Sequence, residues 1–203
     1  MKITILVSLA LPIAISFGTT AKAENPADVK RLLETKQCQG CDLSGANLLG
    51  ADLSKADLRG ANLSGARLGG ANLFAANLAN TNLINANLIN ANLFNAELVG
   101  ANLDNADLSN ANLSSVNLSN ANLNNANLSN ANLGISNLIG ANLNNANLSG
   151  ANLMDANMNG VSLHQANLVD VNMNVVNSPK PSLTGASRFN WSELTGQRKS
   201  EAR

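Results

Sequence analysis

The sequence predicts an all-β solenoid with a short helix capping its first coil, and three observations predict it. From Cys41 to Val175 the chain reads A-N-L-x-x without a register slip. Two residues after each Leu stands Gly or Asn in most units, as at Gly45, Gly60, Asn85 and Asn105. The 203 residues are 45% hydrophobic but only 2% aromatic and 13% charged, where an ordinary globular domain carries roughly 25% charged residues.

The period decides the element type. Taking Leu as the centre of a unit, centres recur every five residues from Leu43 to Met173, and only Met158 and Met173 replace Leu. Two residues earlier, Ala holds its column except at Cys41, Thr81, Val116, Ser136, Val161 and Val171. On an α-helix a step of five advances about 500°, which spreads the Leu around the whole circumference. On a flat strand an odd step throws successive Leu to opposite faces. All the Leu share one interior only if the chain turns a corner after each unit. The Gly/Asn column supplies that corner, because these residues accept the positive φ that the third residue of a type II turn requires. Leu and the preceding Ala therefore point inward, and the other three columns face water.

These residues carry a family resemblance. Ala51-Asp52-Leu53, Ala56-Asp57-Leu58 and Ala61-Asn62-Leu63 resemble the A-(D/N)-L-x-x motif of pentapeptide-repeat proteins, and the resemblance spans about two-thirds of the chain. It implies a right-handed, quadrilateral β-solenoid with one unit per side and four units per coil; periodicity alone does not choose four sides over three. At ~4.8 Å between stacked strands, the repeat would then be roughly 32 Å long.

The segments flanking the repeat read differently. Residues 1–23 combine Lys2, a mostly apolar run from Ile3 to Phe17 and the small-x-small triplet Ala21-Lys22-Ala23, the form of a cleaved signal peptide. The apolar run is shorter than the about 20 residues that span a bilayer, so no stable membrane insertion is expected after cleavage. Cleavage before Glu24 leaves 11 basic and 13 acidic residues. In residues 24–40, Asn25-Pro26 reads as a helix cap and first turn. Val29, Leu32 and Leu33 follow at helical spacing, and Gly40 is expected to end this segment of capping helix and linker. Leu32-Leu33-Glu34-Thr35 with Cys38-x-x-Cys41-Asp42-Leu43 also resembles the lead-in of secreted or luminal family members. The solenoid is expected over 41–175. Residues 176–203 form a degenerate cap and tail, in which Phe189, Trp191 and Leu194 are candidates to cover the last coil.

Little in the chain carries chemistry. Cys38 and Cys41 form the only C-x-x-C. In an exported chain a structural disulfide is favoured over free buried thiols or a redox pair, because Cys41 occupies the inward Ala column. Zinc requires further ligands, and none are near. His164 is the sole histidine and falls in an outward column, so no triad or acid–base pair assembles. The chain is read as no enzyme, with no cofactor and no metal site. Neutral formal charge argues against nucleic acid as a partner.

Three functional readings follow. The first is a structural or protein-interaction scaffold exported to the periplasm, the thylakoid lumen or the extracellular medium. The second is binding of carbohydrate or ice on a flat face, which favours Thr or aromatic rows. The third is mimicry of DNA to inhibit a topoisomerase, as in some family members, which needs a strongly acidic rod in the cytoplasm. Eight carboxylates against Lys55, Arg59 and Arg67, together with export, disfavour the third. A candidate interface appears where the column after each centre turns apolar six times running: Phe74, Ala79, Ile84, Ile89, Phe94 and Val99. With four units per coil, Phe74 lies beside Phe94 and Ala79 beside Val99, and the six form a girdle. It serves a protein partner or self-association, or its rings simply shield backbone.

Overall fold

A computed structural model of the chain describes residues 25–173. The expected signal peptide and C-terminal cap lie outside these residues. Parallel bridges join each residue before a centre to the residue 20 places on, from Gln37↔Asp57 to Asn152↔Asn172. The coil period is therefore 20, which is four five-residue units per coil. The expected strands shorten to single bridging residues between turns, because a corner every five residues leaves no room for a longer run. Among the described residues no extended strand forms, and the β character rests wholly on these bridges.

One unit shows how the backbone groups are satisfied. Leu113 N–H donates to the Asn132 carbonyl at 2.7 Å, Ser115 N–H to Gly134 at 3.0 Å, and Asn132 N–H to Ala111 at 3.0 Å. Within the corner, Val116 N–H donates to the Leu113 carbonyl at 3.2 Å. Each unit thus bonds to the coils on either side and closes its own turn, so the buried backbone needs no longer strand. The turn residue of every unit, each fifth residue from Gly40 through Asp170, has positive φ.

The interior is a stack of Leu layers. All centres from Leu43 to Leu168 are buried, with Ala or a small substitute beside them. Thr81, in the Ala column, keeps its hydroxyl satisfied by donating to the Leu78 carbonyl at 2.6 Å. Removing this apolar surface from water drives the fold, at roughly 1.5–3 kcal/mol for each fully buried Leu.

Helix α1 spans Pro26–Thr35, with Asn25 Oδ1 capping the Ala27 N–H at 3.1 Å and Pro26 opening the first turn. Leu32 is fully buried and Val29 packs on the core, so the helix covers the first coil. Leu33 is instead exposed. Two expectations are corrected here. The helix ends at Lys36, which adopts φ 58 and donates its N–H to the Leu32 carbonyl; Gly40 serves a repeat turn. The ladder also begins at Gln37, ahead of the 41 boundary, because Cys38 takes the buried centre position that Leu holds elsewhere. A cysteine there breaks the A-N-L spelling but not the geometry.

Candidate interaction surface

The four corners of the coil stack into four edges along the solenoid, and the residue after each centre faces outward from them. On one edge Phe74 and Phe94 stand one coil apart with ring centroids at 5.9 Å and planes 7° from parallel. They are 36% and 39% exposed, so each ring covers one neighbour and offers its other surface to solvent. On the preceding edge Leu49 folds across Gly69, its Cδ2 reaching to 3.0 Å from the place a Cβ would occupy there. Gly69 thus makes room for Leu49 beside the Ile89 turn.

The six girdle residues divide by exposure. Phe74 and Phe94 are exposed, whereas Ala79, Ile84, Ile89 and Val99 are half-buried under neighbouring turns. A uniformly apolar spelling along the column thus goes with unequal exposure along it. Confining the girdle to six consecutive units left out Leu49, Ile139 and Met154 in the same column, and reading that column alone left out Ile135 in the next; all four are exposed. A scan for apolar residues across both outward turn columns finds them.

Polar groups order the faces between these edges. Asn Oδ1 accepts the N–H two residues on, as Asn92 does from Phe94 at 3.2 Å, while its Nδ2 donates to Asn72 Oδ1 at 3.1 Å one coil earlier. The faces are consequently saturated amide ladders with few charges. Asp57 is the strongest exception, held by Arg59 through Nε at 2.8 Å and Nη2 at 2.6 Å. That pairing holds the Asp57 carboxyl below its ordinary range. Asp52 is also lowered, by the Ser54 hydroxyl and then its N–H, with Lys36 nearby.

Cys38 and Cys41 are joined by a disulfide with Cα atoms 5.2 Å apart. It ties the first unit to the second where helix α1 rests, and Asp28 Oδ2 accepts the Asp42 N–H at 3.0 Å beside it. His164 is exposed on its turn and its N–H donates to Asn144 Oδ1. Among the described residues no three His, Cys, Asp or Glu side chains group to hold a metal ion.

Comparison with known proteins decides the family. The pentapeptide-repeat family model matches in eight copies over residues 37–73, 71–110, 111–134 and 136–174. The chain belongs to the pentapeptide-repeat family. The matched span begins at Gln37, where the ladder begins, and the match indicates a repeat scaffold and no catalytic family. No curated protein matches the chain. Among solved structures, a plasmid-mediated fluoroquinolone resistance protein superposes with a TM-score of 0.55 at 19% identity, covering 78% of this chain and 85% of that one. That likeness concerns the fold alone. HetL, a pentapeptide repeat protein involved in heterocyst differentiation regulation in the cyanobacterium Nostoc, is 29% identical over 81% of this chain and 92% of its own, with a TM-score of 0.36. A pentapeptide repeat protein of the Arabidopsis thaliana thylakoid lumen is 30% identical over 60% of this chain and 68% of its own, with a TM-score of 0.32.

Proposed function

We propose that this pentapeptide-repeat protein is a non-catalytic scaffold, a right-handed solenoid exported by cleavage of residues 1–23, that holds a protein partner on its apolar edges. The observation that carries the reading is the exposed, stacked Phe74–Phe94 pair on a surface otherwise built of Asn, Ser and Gly turns. Two rings whose solvent-facing surfaces are held rigid by a neighbouring coil bind with little loss of side-chain freedom. The C-x-x-C disulfide suits an oxidising compartment, which supports export to the periplasm, the lumen or the medium.

The surface speaks against the other readings. Thr81, the one Thr of the repeat, directs its hydroxyl inward to Leu78, so no Thr row faces water for ice or carbohydrate. From Leu68 to Met173 the chain has five carboxylates and no Lys or Arg, too sparse a charge for a DNA mimic.

The experiment is capture from the exported fraction with tagged mature chain and with the Phe74→Ser/Phe94→Ser variant. A partner retained by the wild type and lost by the variant, at unchanged melting temperature, supports the reading. Equal capture by both chains refutes it. N-terminal sequencing of the exported form should begin at Glu24.

A further inference from the structure

The positive-φ turn positions are not filled alike on the four edges. Between Gly40 and Asp170 there are 27 such positions, of which 20 are Gly or Asn. The remaining seven are Lys55, Ala75, Ser115, Ile135, Asp155, Gln165 and Asp170. The first five lie 20 residues or a multiple of 20 apart, so they stack on a single edge, the one that follows Leu53, Leu73, Leu93, Leu113, Leu133 and Leu153. A left-handed backbone is costly for a side chain with a Cβ, and most of all for a β-branched one such as Ile135 at φ 59. Three edges obey the turn rule along nearly all their length, and this edge departs from it in five of its six coils.

The same edge collects exposed apolar side chains. Phe74, Phe94, Ile135 and Met154 all stand on it, and Ile135 is 69% exposed. Gly134 interrupts the row with no side chain; its φ is not positive, and a Cβ there would lie 3.3 Å from Asn132 Oδ1, so the row keeps a notch at this level. Lys55 is exposed near one end of the edge and Asp155 near the other, and neither forms an ion pair among the described residues. Backbone strain kept together with solvent-facing apolar groups marks a surface shaped by something other than folding.

We propose that this edge joins two copies of the chain, side by side and antiparallel, about a two-fold axis at Ser114. The proposal rests on the scaffold reading and names a second copy as the partner of the Phe74–Phe94 surface. The edge is self-complementary in that arrangement and in no parallel one. A two-fold at the Ser114 level brings Phe94 of one copy to the Gly134 notch and Ile135 of the other, and Phe74 to Met154. Ser114 meets its own counterpart. Lys55 comes within one coil, about 4.8 Å, of the level of Asp155 in the other copy, which a lysine side chain spans. A parallel pair instead sets Lys55 on Lys55, Asp155 on Asp155 and the Gly134 notch on itself. An isologous contact repeats each of these pairings twice. One edge is narrow, so the dimer belongs to the weak class that forms at high concentration.

The test uses the full mature chain and two readouts. Sedimentation velocity over a concentration series should show a monomer–dimer equilibrium. Lys55→Asp or Asp155→Lys should each weaken it about tenfold, and the two together should restore it. With both native cysteines paired, Ser114→Cys should form a covalent dimer on oxidation, and Ser54→Cys, on the same edge but far from the two-fold, should not. These are surface changes that leave the core intact. A chain that stays monomeric at every concentration, a charge exchange that fails to rescue, or equal cross-linking at both positions overturns the proposal. A monomer that still loses an unrelated protein partner on Phe74→Ser/Phe94→Ser overturns it while the scaffold reading stands. Failure of both capture and self-association removes the two together.

Discussion

Asn72 donates through Nδ2 to Oδ1 of Asp52, one coil earlier, at 3.1 Å. The direction of that bond recurs: Asn92 donates to Asn72, and Asn112 to Asn92. The ladder on the opposite face runs the same way, from Asn62 to Asp42 and from Asn82 to Asn62. These rungs therefore share a polarity, each amide donating toward the N-terminal end. The first rung needs only an acceptor, and both of these ladders open on an aspartate. An aspartate therefore serves these two first rungs as well as an asparagine would.

Ladder polarity makes the exchange of Asn and Asp asymmetric. Asn122 donates to Asn102 at 3.0 Å and accepts from Asn142 at 3.1 Å. Asn122→Asp keeps the acceptor but sets a carboxylate against the Asn102 oxygen. Urea unfolding at neutral pH should show a loss of about 1–3 kcal/mol, reduced in acid, where the protonated carboxyl donates again. Asp52→Asn, at the first rung, should change stability much less. Equal losses at both positions would remove the polarity argument.

The inward column carries most of the stability. Leu113 is fully buried, and Leu113→Ala should cost about 2–5 kcal/mol through lost burial and the cavity left behind. Ser114→Ala, the next residue but on the outside, should stay within about 0.5 kcal/mol. Thermal melts of the pair measure the contrast directly.

Strain at Ile135 predicts a stabilising change. Ile135→Asn removes a β-branched side chain from the left-handed region and should raise stability by about 1 kcal/mol. The melting temperature reads the gain, and an unchanged melt would mean that the turn bears no strain. The same substitution should weaken self-association, which separates stability from contact.

Acid should destabilise the first coils before the rest. Asp57 is lowered chiefly by its hydrogen bonds from Arg59, and Asp52 by those from Ser54. A carboxyl whose folded pKa is depressed adds stability above its unfolded pKa and loses it as pH falls through the folded one. The loss therefore begins below about pH 4, the ordinary aspartate range. Arg59→Gln should flatten that acid limb while changing little at pH 7, as expected of an exposed pair. An acid limb unmoved by the substitution would place the effect elsewhere.

The sequence by itself determined everything that repeats within one unit. The inward Leu and Ala, the turn after each centre and its positive φ follow from a period of five, because each unit meets only its own corner and a like neighbour. Asn25-Pro26 was legible as a helix start for the same local reason. What depends on closing the coil was implied by the family resemblance, not by the period, and the tertiary structure decided it. Four corners per turn, and not three, stack each residue on the one 20 places along. That spacing alone places Phe74 on Phe94 and gathers Lys55, Ala75, Ser115, Ile135 and Asp155 on one edge. Cys38 shows the same limit from the other side. Its spelling is not that of the repeat, yet its backbone pairs with Asp57 and it fills a Leu layer, because stacking on the next coil selects a conformation that the local sequence leaves open.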